Sequence, residues 1–158
     1  MTRTRTLYFG AGWFNEKQTK AYDAAMTALK ENPTIDLEHS YVPLQNQYKG
    51  IRVDEHPEYL HDKEWASATY TNDLIGIKTS DIMLGVYLPE EEDVGLGMEL
   101  GYAMSQGKYV LLVIPDEDLG KPINLMSWGV CDNAIKISEL KDFDFNKPRF
   151  GFYEGAVY

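Results

Sequence analysis

The stretch from Asp81 to Pro115, DIMLGVYLPEEEDVGLGMELGYAMSQGKYVLLVIP, decides the fold of this chain. Apolar runs of strand length occupy residues 82–88 and 108–114, and about ten residues of helical pattern lie between them. This order predicts a strand, a helix and a second strand parallel to the first. Because strands that are apolar along their whole length are usually covered on both faces, we expect a single-domain, three-layer α/β sandwich with a mostly parallel, doubly wound sheet of the flavodoxin-like or Rossmann-like kind.

Glu99 is the candidate functional residue of this unit. The pattern MELGYAM over residues 98–104 predicts a carboxylate in the first helical turn, just past the carboxyl end of a central strand, where open α/β sheets bind ligands. A helix N-terminus favours the ionised carboxylate, which suits a nucleophile. A plainer alternative is that Glu99 only complements the helix dipole. The neighbouring Gly97 and Gly101 let a ligand approach closely and so favour the functional interpretation.

The glycine spacing of the same unit argues against a phosphate site. The Gly-x-Gly-x-x-x-Gly pattern over residues 95–101 is one residue longer than the dinucleotide fingerprint. The acidic run from Glu90 to Asp93 precedes it and would repel a pyrophosphate. A nicotinamide-dependent dehydrogenase is therefore a weak alternative, and we expect no cofactor.

The composition predicts one acidic domain over residues 1–158. Hydrophobic side chains make up 44% of the chain and aromatic ones 13%, which is enough for one sizeable core. The formal net charge of −10 argues against nucleic acids and anionic membranes as partners. Neutral or cationic small molecules remain as ligands.

Neither a disulfide framework nor a metal site is predicted. Cys131 is the single cysteine, and His39, His56 and His61 show none of the usual ligand spacings. The opening segment over residues 1–9 lacks the apolar core of a signal peptide, and no segment approaches membrane-spanning length. We therefore expect a cytoplasmic protein.

The remaining chain continues the alternation of helices and strands. A helix begins near Asn15, carries Tyr22 and Leu29 on one face, and ends at Asn32-Pro33. A second helix is predicted over residues 63–78, with Asp73 close to its buried stripe. That stripe is predicted to consist of Ala66, Tyr70, Leu74 and Ile77. The further predicted strands cover residues 5–9, 35–44 and 133–137.

Three irregular segments are candidates for the walls of a site. Residues 45–62 mix glycine, proline, charge and aromatics, and we interpret them as a lid or the edge of a pocket. The segment after the strand at 108–114 offers Asn124, Leu125, Met126 and Trp128 as pocket or interface residues. The aromatic tail over residues 145–158 is expected to pack down and to deliver its terminal carboxylate to a specific place.

A glycine turn at residues 10–12 gathers aromatic side chains at the sheet edge. Tyr8, Trp13 and Phe14 flank this turn. They are either plain core residues or a stacking surface for a flat heterocycle.

The motifs together resemble one family over nearly the whole chain. They are YFGAGWF at 8–14, the Tyr-x-Asn-Asp pattern at 70–73, DVGLGMELGYA at 93–103, NLMSWGV at 124–130 and FYEGAVY at 152–158. In this order they resemble the nucleoside 2-deoxyribosyltransferases, most closely the lactobacillus type that accepts both purines and pyrimidines.

The resemblance implies transfer of a 2-deoxyribosyl group between nucleobases with retained stereochemistry. Retention follows from two successive inversions, which a carboxylate nucleophile supplies through a covalent intermediate. By resemblance this nucleophile is Glu99. The substrates would be deoxynucleosides and free bases, the role nucleoside salvage, and the assembly a homohexamer of paired subunits with shared active sites.

The resemblance also implies roles for other residues. Asp93 and Asp73 line the base site, and Asp93 is our first choice for the proton donor, because it adjoins Glu99 in the acidic loop. Tyr8 would hold the nucleophile, and the terminal carboxylate of Tyr158 would position that tyrosine. The remaining implied contacts are Phe14 and Gln47 with the base, and Asn124 and Met126 lent by a neighbouring subunit, with Asn124 on the 5′-hydroxyl.

Two further functions stay open at this stage. An N-glycoside hydrolase would use the same carboxylate but let water reach the intermediate. A non-catalytic nucleotide-binding module would keep the pocket and would not need Glu99.

Overall fold

Every strand of the sheet runs parallel to its neighbours. The structure is a computed structural model that describes residues 3–158. Met1 and Thr2 lie outside the described residues; they belong to the opening segment from which no signal peptide is expected. The strands are β1 (Leu7–Ala11), β2 (Ile82–Val86), β3 (Tyr109–Ile114) and β4 (Asn133–Lys136), in the spatial order β1-β2-β3-β4. The predicted parallel α/β fold is confirmed.

Helices cover both faces of this sheet. They are α1 (Glu16–Lys30), α2 (Lys63–Thr79), α3 (Val94–Ser105) and the short α4 (Leu125–Val130). The side chains of Leu7 and Phe9 pack with α1 on one face, whereas that of Tyr8 packs with α2 and α3 on the other. Because successive strand residues alternate between faces, the sequence of β1 itself sends the Tyr8 side chain toward α3.

The predicted helix near Asn15 is confirmed with its caps. Asn15 is the N-cap residue of α1, and its side chain accepts a hydrogen bond from the Gln18 N–H. Beyond the helix, the buried Asn32 side chain donates to the carbonyls of Leu140 and Phe143, at 2.8 and 2.9 Å. These bonds join the end of α1 to the 3₁₀-helix Ile137–Asp142 beneath it.

The strand predicted over residues 35–44 is wrong. Only two isolated bridges form along the edge of β1, Arg5 with Ile35 and Tyr8 with Tyr41. Between them the chain bends, because the Asp36 carboxylate accepts from the His39 N–H and the Asp36 carbonyl from the Ser40 hydroxyl. The local polar side chains thus outcompete the strand pairing that the apolar residues favour.

The buried stripe predicted for α2 is wrong in its first half. The helix bounds agree, Ile77 is buried and Leu74 half-buried as predicted, but Ala66 and Tyr70 are exposed. The other buried residues of the helix are Trp65 and Gly76. The inward face is rotated from the predicted one. Asp73 lies on it and reaches the site described below.

The segment over residues 45–62 follows a short 3₁₀-helix at Pro43–Gln45 and contains two more, at Tyr48–Gly50 and Pro57–His61. In the part of the chain that the structure describes, no helix is long and apolar enough to cross a membrane. Residues 3–158 also hold no group of three or more histidine, cysteine or acidic side chains that could bind a metal ion.

We expect the substitution Asn32→Asp to lower the free energy of unfolding by about 2 kcal/mol or more. The new oxygen would face the two carbonyls that now accept from the amide, so buried acceptors would lose their donor. Urea unfolding at pH 7 measures the loss. The exposed Gln106→Glu makes the same chemical change at the surface and should stay within about 0.5 kcal/mol of the parent; equal effects would contradict the role of Asn32.

Candidate active site

A cavity of about 290 Å³ opens at the carboxyl edge of β1, where the sheet topology predicts a ligand site. Its wall is largely aromatic and apolar, and three carboxylates belong to it. The lining residues are Ala11, Trp13, Phe14, Pro43, Gln47, Val53, Leu60, Trp65, Thr69, Asp73, Asp93, Gly95, Leu96 and Glu99. The segment over residues 45–62 forms part of this wall, as the edge-of-pocket interpretation predicts.

A larger groove of about 660 Å³ lies along α1 and the 3₁₀-helix Ile137–Asp142. Lysines and acids of the surface line it, and the Asp116 carboxylate there already accepts from the Ser138 N–H. The smaller cavity is the candidate active site because it collects partly buried carboxylates with perturbed pKa values.

Glu99 lines the cavity, and Tyr8 is its hydrogen-bond partner in the core behind it. The fully buried Tyr8 donates its hydroxyl proton to Glu99 Oε1 at 2.7 Å. The pKa of Glu99 is raised to about 7, chiefly by burial; the charges of Asp73 and Asp93 also raise it, and the Tyr8 hydrogen bond lowers it. Burial and the charges of Glu99 and Asp73 raise the Tyr8 pKa, so the tyrosine remains a donor.

The helix position predicted for Glu99 needs correction. Helix α3 begins at Val94, so Glu99 stands in the second turn, and Asp93 is the N-cap residue. The Asp93 carboxylate accepts from the Leu96 N–H at 2.8 Å and satisfies the helix N-terminus. The ionised form of Glu99 is therefore favoured by the Tyr8 hydroxyl and not by the helix end.

Two glycines of the sheet make room for Glu99 and its helix. A Cβ at Gly10 would lie 3.1 Å from Glu99 Oε2 and 2.8 Å from Leu96. Gly85 stands opposite Gly10 in the register, and a Cβ there would lie 3.0 Å from Leu100. The missing side chains let α3 approach the sheet closely.

Asp73 is held by Tyr41, a residue that the sequence analysis does not single out. The Tyr41 hydroxyl donates to Asp73 Oδ1 at 3.0 Å, and its ring stacks on Tyr8 with centroids 5.4 Å apart and planes 6° from parallel. The pKa of Asp73 is raised to about 6, because the effect of burial exceeds the opposing effect of the Tyr41 hydrogen bond. Gly76, in the last turn of α2, is the sequence signal for this close approach, since a Cβ there would lie 2.5 Å from the Tyr41 ring.

The acidic loop before α3 is held by lysines. Lys121 pairs with Glu90 at 3.0 Å and with the buried Asp118 at 2.8 Å. Lys17 contacts the same Asp118 and also Glu91, at 3.4 and 3.8 Å. This network fixes the loop that ends at the Asp93 N-cap.

Phe14 and Gln47 both lie in the cavity wall. Phe14 is 68% exposed, so its ring is available for stacking. Gln47 is buried, and its Oε1 accepts from the Val53 N–H at 2.7 Å, which leaves the amide NH₂ to face a ligand.

Asn124, Met126 and Tyr158 lie outside the cavity of their own chain. Asn124 caps α4, with its Oδ1 accepting from the Met126 N–H at 2.8 Å, and Met126 is exposed. A carboxylate oxygen of Tyr158 accepts from the Leu125 N–H. Within residues 3–158 no hydrogen bond joins Tyr158 to Tyr8, so one chain alone does not make the predicted contact between them.

The sequence was compared with protein families and with known structures. A family model described as nucleoside 2-deoxyribosyltransferase matches residues 7–126. The chain belongs to this family. It is 83% identical over 154 residues to a nucleoside deoxyribosyltransferase from Lactobacillus leichmannii, covering 98% of each chain, and 80% identical over 148 residues to one from Lactobacillus johnsonii, covering 94% of this chain and 99% of that one.

A solved structure of a 2-deoxyribosyltransferase from Bacillus psychrosaccharolyticus has the same fold. Its TM-score to this chain is 0.74 at 27% sequence identity, over 94% of this chain and 98% of that one. The segment matched by the nucleoside 2-deoxyribosyltransferase model contains Tyr8, Tyr41, Asp73, Asp93 and Glu99. All the carboxylates of the cavity thus fall inside the family domain.

The raised pKa of Glu99 predicts a pH-dependent gain in stability for Glu99→Gln. A carboxyl whose pKa is raised by folding contributes most to the free energy of unfolding below its unfolded pKa. This contribution is lost as the pH rises through the folded pKa of about 7. The amide can still accept from Tyr8 and carries no charge. At pH 8 we expect the variant to be more stable than the parent by roughly 2 kcal/mol, with little difference at pH 5. Thermal unfolding at both pH values measures this, and an equal effect at both would contradict it.

Proposed function

We propose that the chain transfers 2-deoxyribosyl groups between purine and/or pyrimidine bases, with retention, through a covalent deoxyribosyl-Glu99 intermediate. The observation that carries this proposal is the hydrogen bond from the buried Tyr8 to Glu99, a carboxylate that lines one cavity together with Asp73. Family membership and the closely related lactobacillus proteins support the reaction class. We further propose a cytoplasmic role in nucleoside salvage, without cofactor or metal.

The first half-reaction begins at the free oxygen of Glu99. Since Oε1 accepts from Tyr8, Oε2 is the oxygen that attacks C1′ of the deoxynucleoside. The bond from C1′ to the base nitrogen breaks, and its electron pair goes to the base. The Tyr8 hydroxyl favours the ionised nucleophile against the burial that disfavours it.

We infer that Asp73, rather than Asp93, gives the leaving base its proton. The Asp93 carboxylate is engaged as the N-cap of α3, whereas Asp73 is partly buried with a pKa of about 6. A carboxyl poised near neutral pH can protonate one base and accept the proton of the next. This inference replaces the preference for Asp93 drawn from sequence position.

The aromatic wall favours transfer over hydrolysis. Trp13, Phe14 and Trp65 line the cavity and can hold a flat acceptor base against the intermediate. A base so held excludes water from C1′. In the second half-reaction the base nitrogen attacks C1′ and Glu99 leaves, which restores the original configuration.

We expect the protein to form deoxyadenosine and thymine from deoxythymidine and adenine without added phosphate. Glu99→Gln keeps the Tyr8 contact but lacks the nucleophile, so it should lose at least about a thousandfold in rate. Chromatography of both products gives the readout. Thymine without deoxyadenosine would favour the hydrolase, and neither product the non-catalytic binding module.

We also propose a homohexamer whose paired subunits share active sites. Exposed apolar side chains on α2, α3 and α4 support an interface beside the cavity; they are Tyr70, Ile75, Val94, Met98, Leu125 and Met126. Asn124 and Met126, outside the cavity of their own chain, would then serve the neighbouring site, and an isolated monomer would be inactive.

Mixing two inactive variants tests the shared site. Glu99→Ala removes the nucleophile from one chain, and Asn124→Ala removes the sugar contact from the other. In co-expressed oligomers we expect about one quarter of the sites to hold both intact residues and to recover activity. Mixed oligomers as inactive as either parent would contradict sharing in trans.

A further inference from the structure

The Tyr41 hydroxyl contacts a carboxylate of the proposed active site and has no role in the proposed reaction so far. Its backbone lies along the edge of β1, since its N–H donates to the Leu7 carbonyl and its carbonyl accepts from the Phe9 N–H, both at 2.8 Å. Its ring occupies the space above Gly76 and stacks on Tyr8. Sheet, helix α2 and Tyr8 together fix where the hydroxyl stands.

The hydroxyl of Tyr41 distinguishes the two oxygens of Asp73. Oδ1 accepts the tyrosine proton at 3.0 Å, whereas Oδ2 has no hydrogen-bond partner among the residues that the structure describes. When Asp73 is protonated, the oxygen that accepts from Tyr41 is the carbonyl-like one, and the acid proton resides on Oδ2. Oδ2 is then the oxygen free to face a base in the cavity.

We propose that Tyr41 is a positioning residue that holds Asp73 Oδ1, so that Oδ2 delivers the proton to the leaving base and takes it back from the acceptor base. As the bond from C1′ to the base nitrogen breaks, the Oδ2–H bond breaks and an N–H bond forms on the base. The reverse transfer follows with the incoming base. This inference rests on the proposed function.

The electrostatic surroundings make Tyr41 the favourable partner of Asp73. Besides Tyr41 itself, Tyr8 from β1, Glu99 from α3 and Asp93 from the acidic loop belong to the same cluster. The charges of Glu99 and Asp73 repel each other, and Tyr8 already gives its proton to Glu99. Tyr41 is therefore the only group among these that donates to Asp73.

The test is the dependence of rate on the leaving base in Tyr41→Phe. The substrates are 2′-deoxyuridines with hydrogen, fluorine or trifluoromethyl at C5, which make the departing uracil increasingly acidic, and adenine is the acceptor. With a misplaced acid, we expect kcat/KM to fall about tenfold for the unsubstituted base and progressively less for the more acidic ones. The plot of log kcat/KM against base pKa becomes steeper.

Tyr48→Phe is the matched control, because it removes a tyrosine hydroxyl that donates to the exposed carboxylate of Glu64, outside the cavity. It should leave the slope of the wild-type plot unchanged. Adding Tyr41→Phe to Asp73→Asn should cost nothing further, since the tyrosine acts through the aspartate.

The outcomes separate the inference from the proposed function. A wild-type protein without base exchange overturns the proposed function before any variant is measured. An active wild type with a Tyr41→Phe variant that loses activity equally on every substrate, or loses none, overturns the role of Tyr41 alone. A uniform loss of that kind is what a merely structural tyrosine would give.

Discussion

The hydrogen bond from Tyr8 to Glu99 joins the sheet to the helix that carries the proposed nucleophile. It crosses two layers of the fold, so its length depends on the packing of α3 against β1 and β2. Among residues 3–158 it is also the only side-chain contact that favours the ionised form of Glu99, against burial and two neighbouring carboxylates. The chemistry that we propose depends on this one contact between layers.

Carboxyl groups that share one cavity repel one another when ionised, so each needs a proton or a hydrogen-bond donor. Here each of two stacked tyrosines serves one carboxylate, Tyr8 for Glu99 and Tyr41 for Asp73, while Asp93 finds its donor at the start of α3. Burial raises the pKa of both Glu99 and Asp73 toward neutral pH, and the hydrogen bond from each tyrosine opposes that rise. Each of these two carboxyls can therefore exist in its ionised or its protonated form near pH 7.

The sequence predicts the parts of the molecule that local pattern determines. Periodicity and turn residues predict the unit over residues 81–115 and helix α1 with its Asn15 cap. The family motifs predict that one sheet edge brings together Tyr8, Asp73, Asp93 and Glu99. The absence of a strand at 35–44 could not be predicted, because local side-chain hydrogen bonds bend the chain there. Nor could the buried face of α2, because the helix is rotated from the predicted orientation. The role of Tyr41 could not be predicted either, because it depends on a contact with Asp73, 32 positions away in the chain, that no local pattern reveals.

The opposed glycines of β1 and β2 set how deep the cavity is. Since Gly10 and Gly85 let α3 rest directly on the sheet, the floor beneath Glu99 is made of backbone and tightly packed leucines. Such a floor cannot be lowered by shortening a side chain, and any added carbon would lift the helix. Room for a bulkier nucleobase must therefore come from other lining residues, among them Gln47, Val53 and Leu60 of the irregular segment. Substitutions that widen the substrate range of this scaffold are expected there.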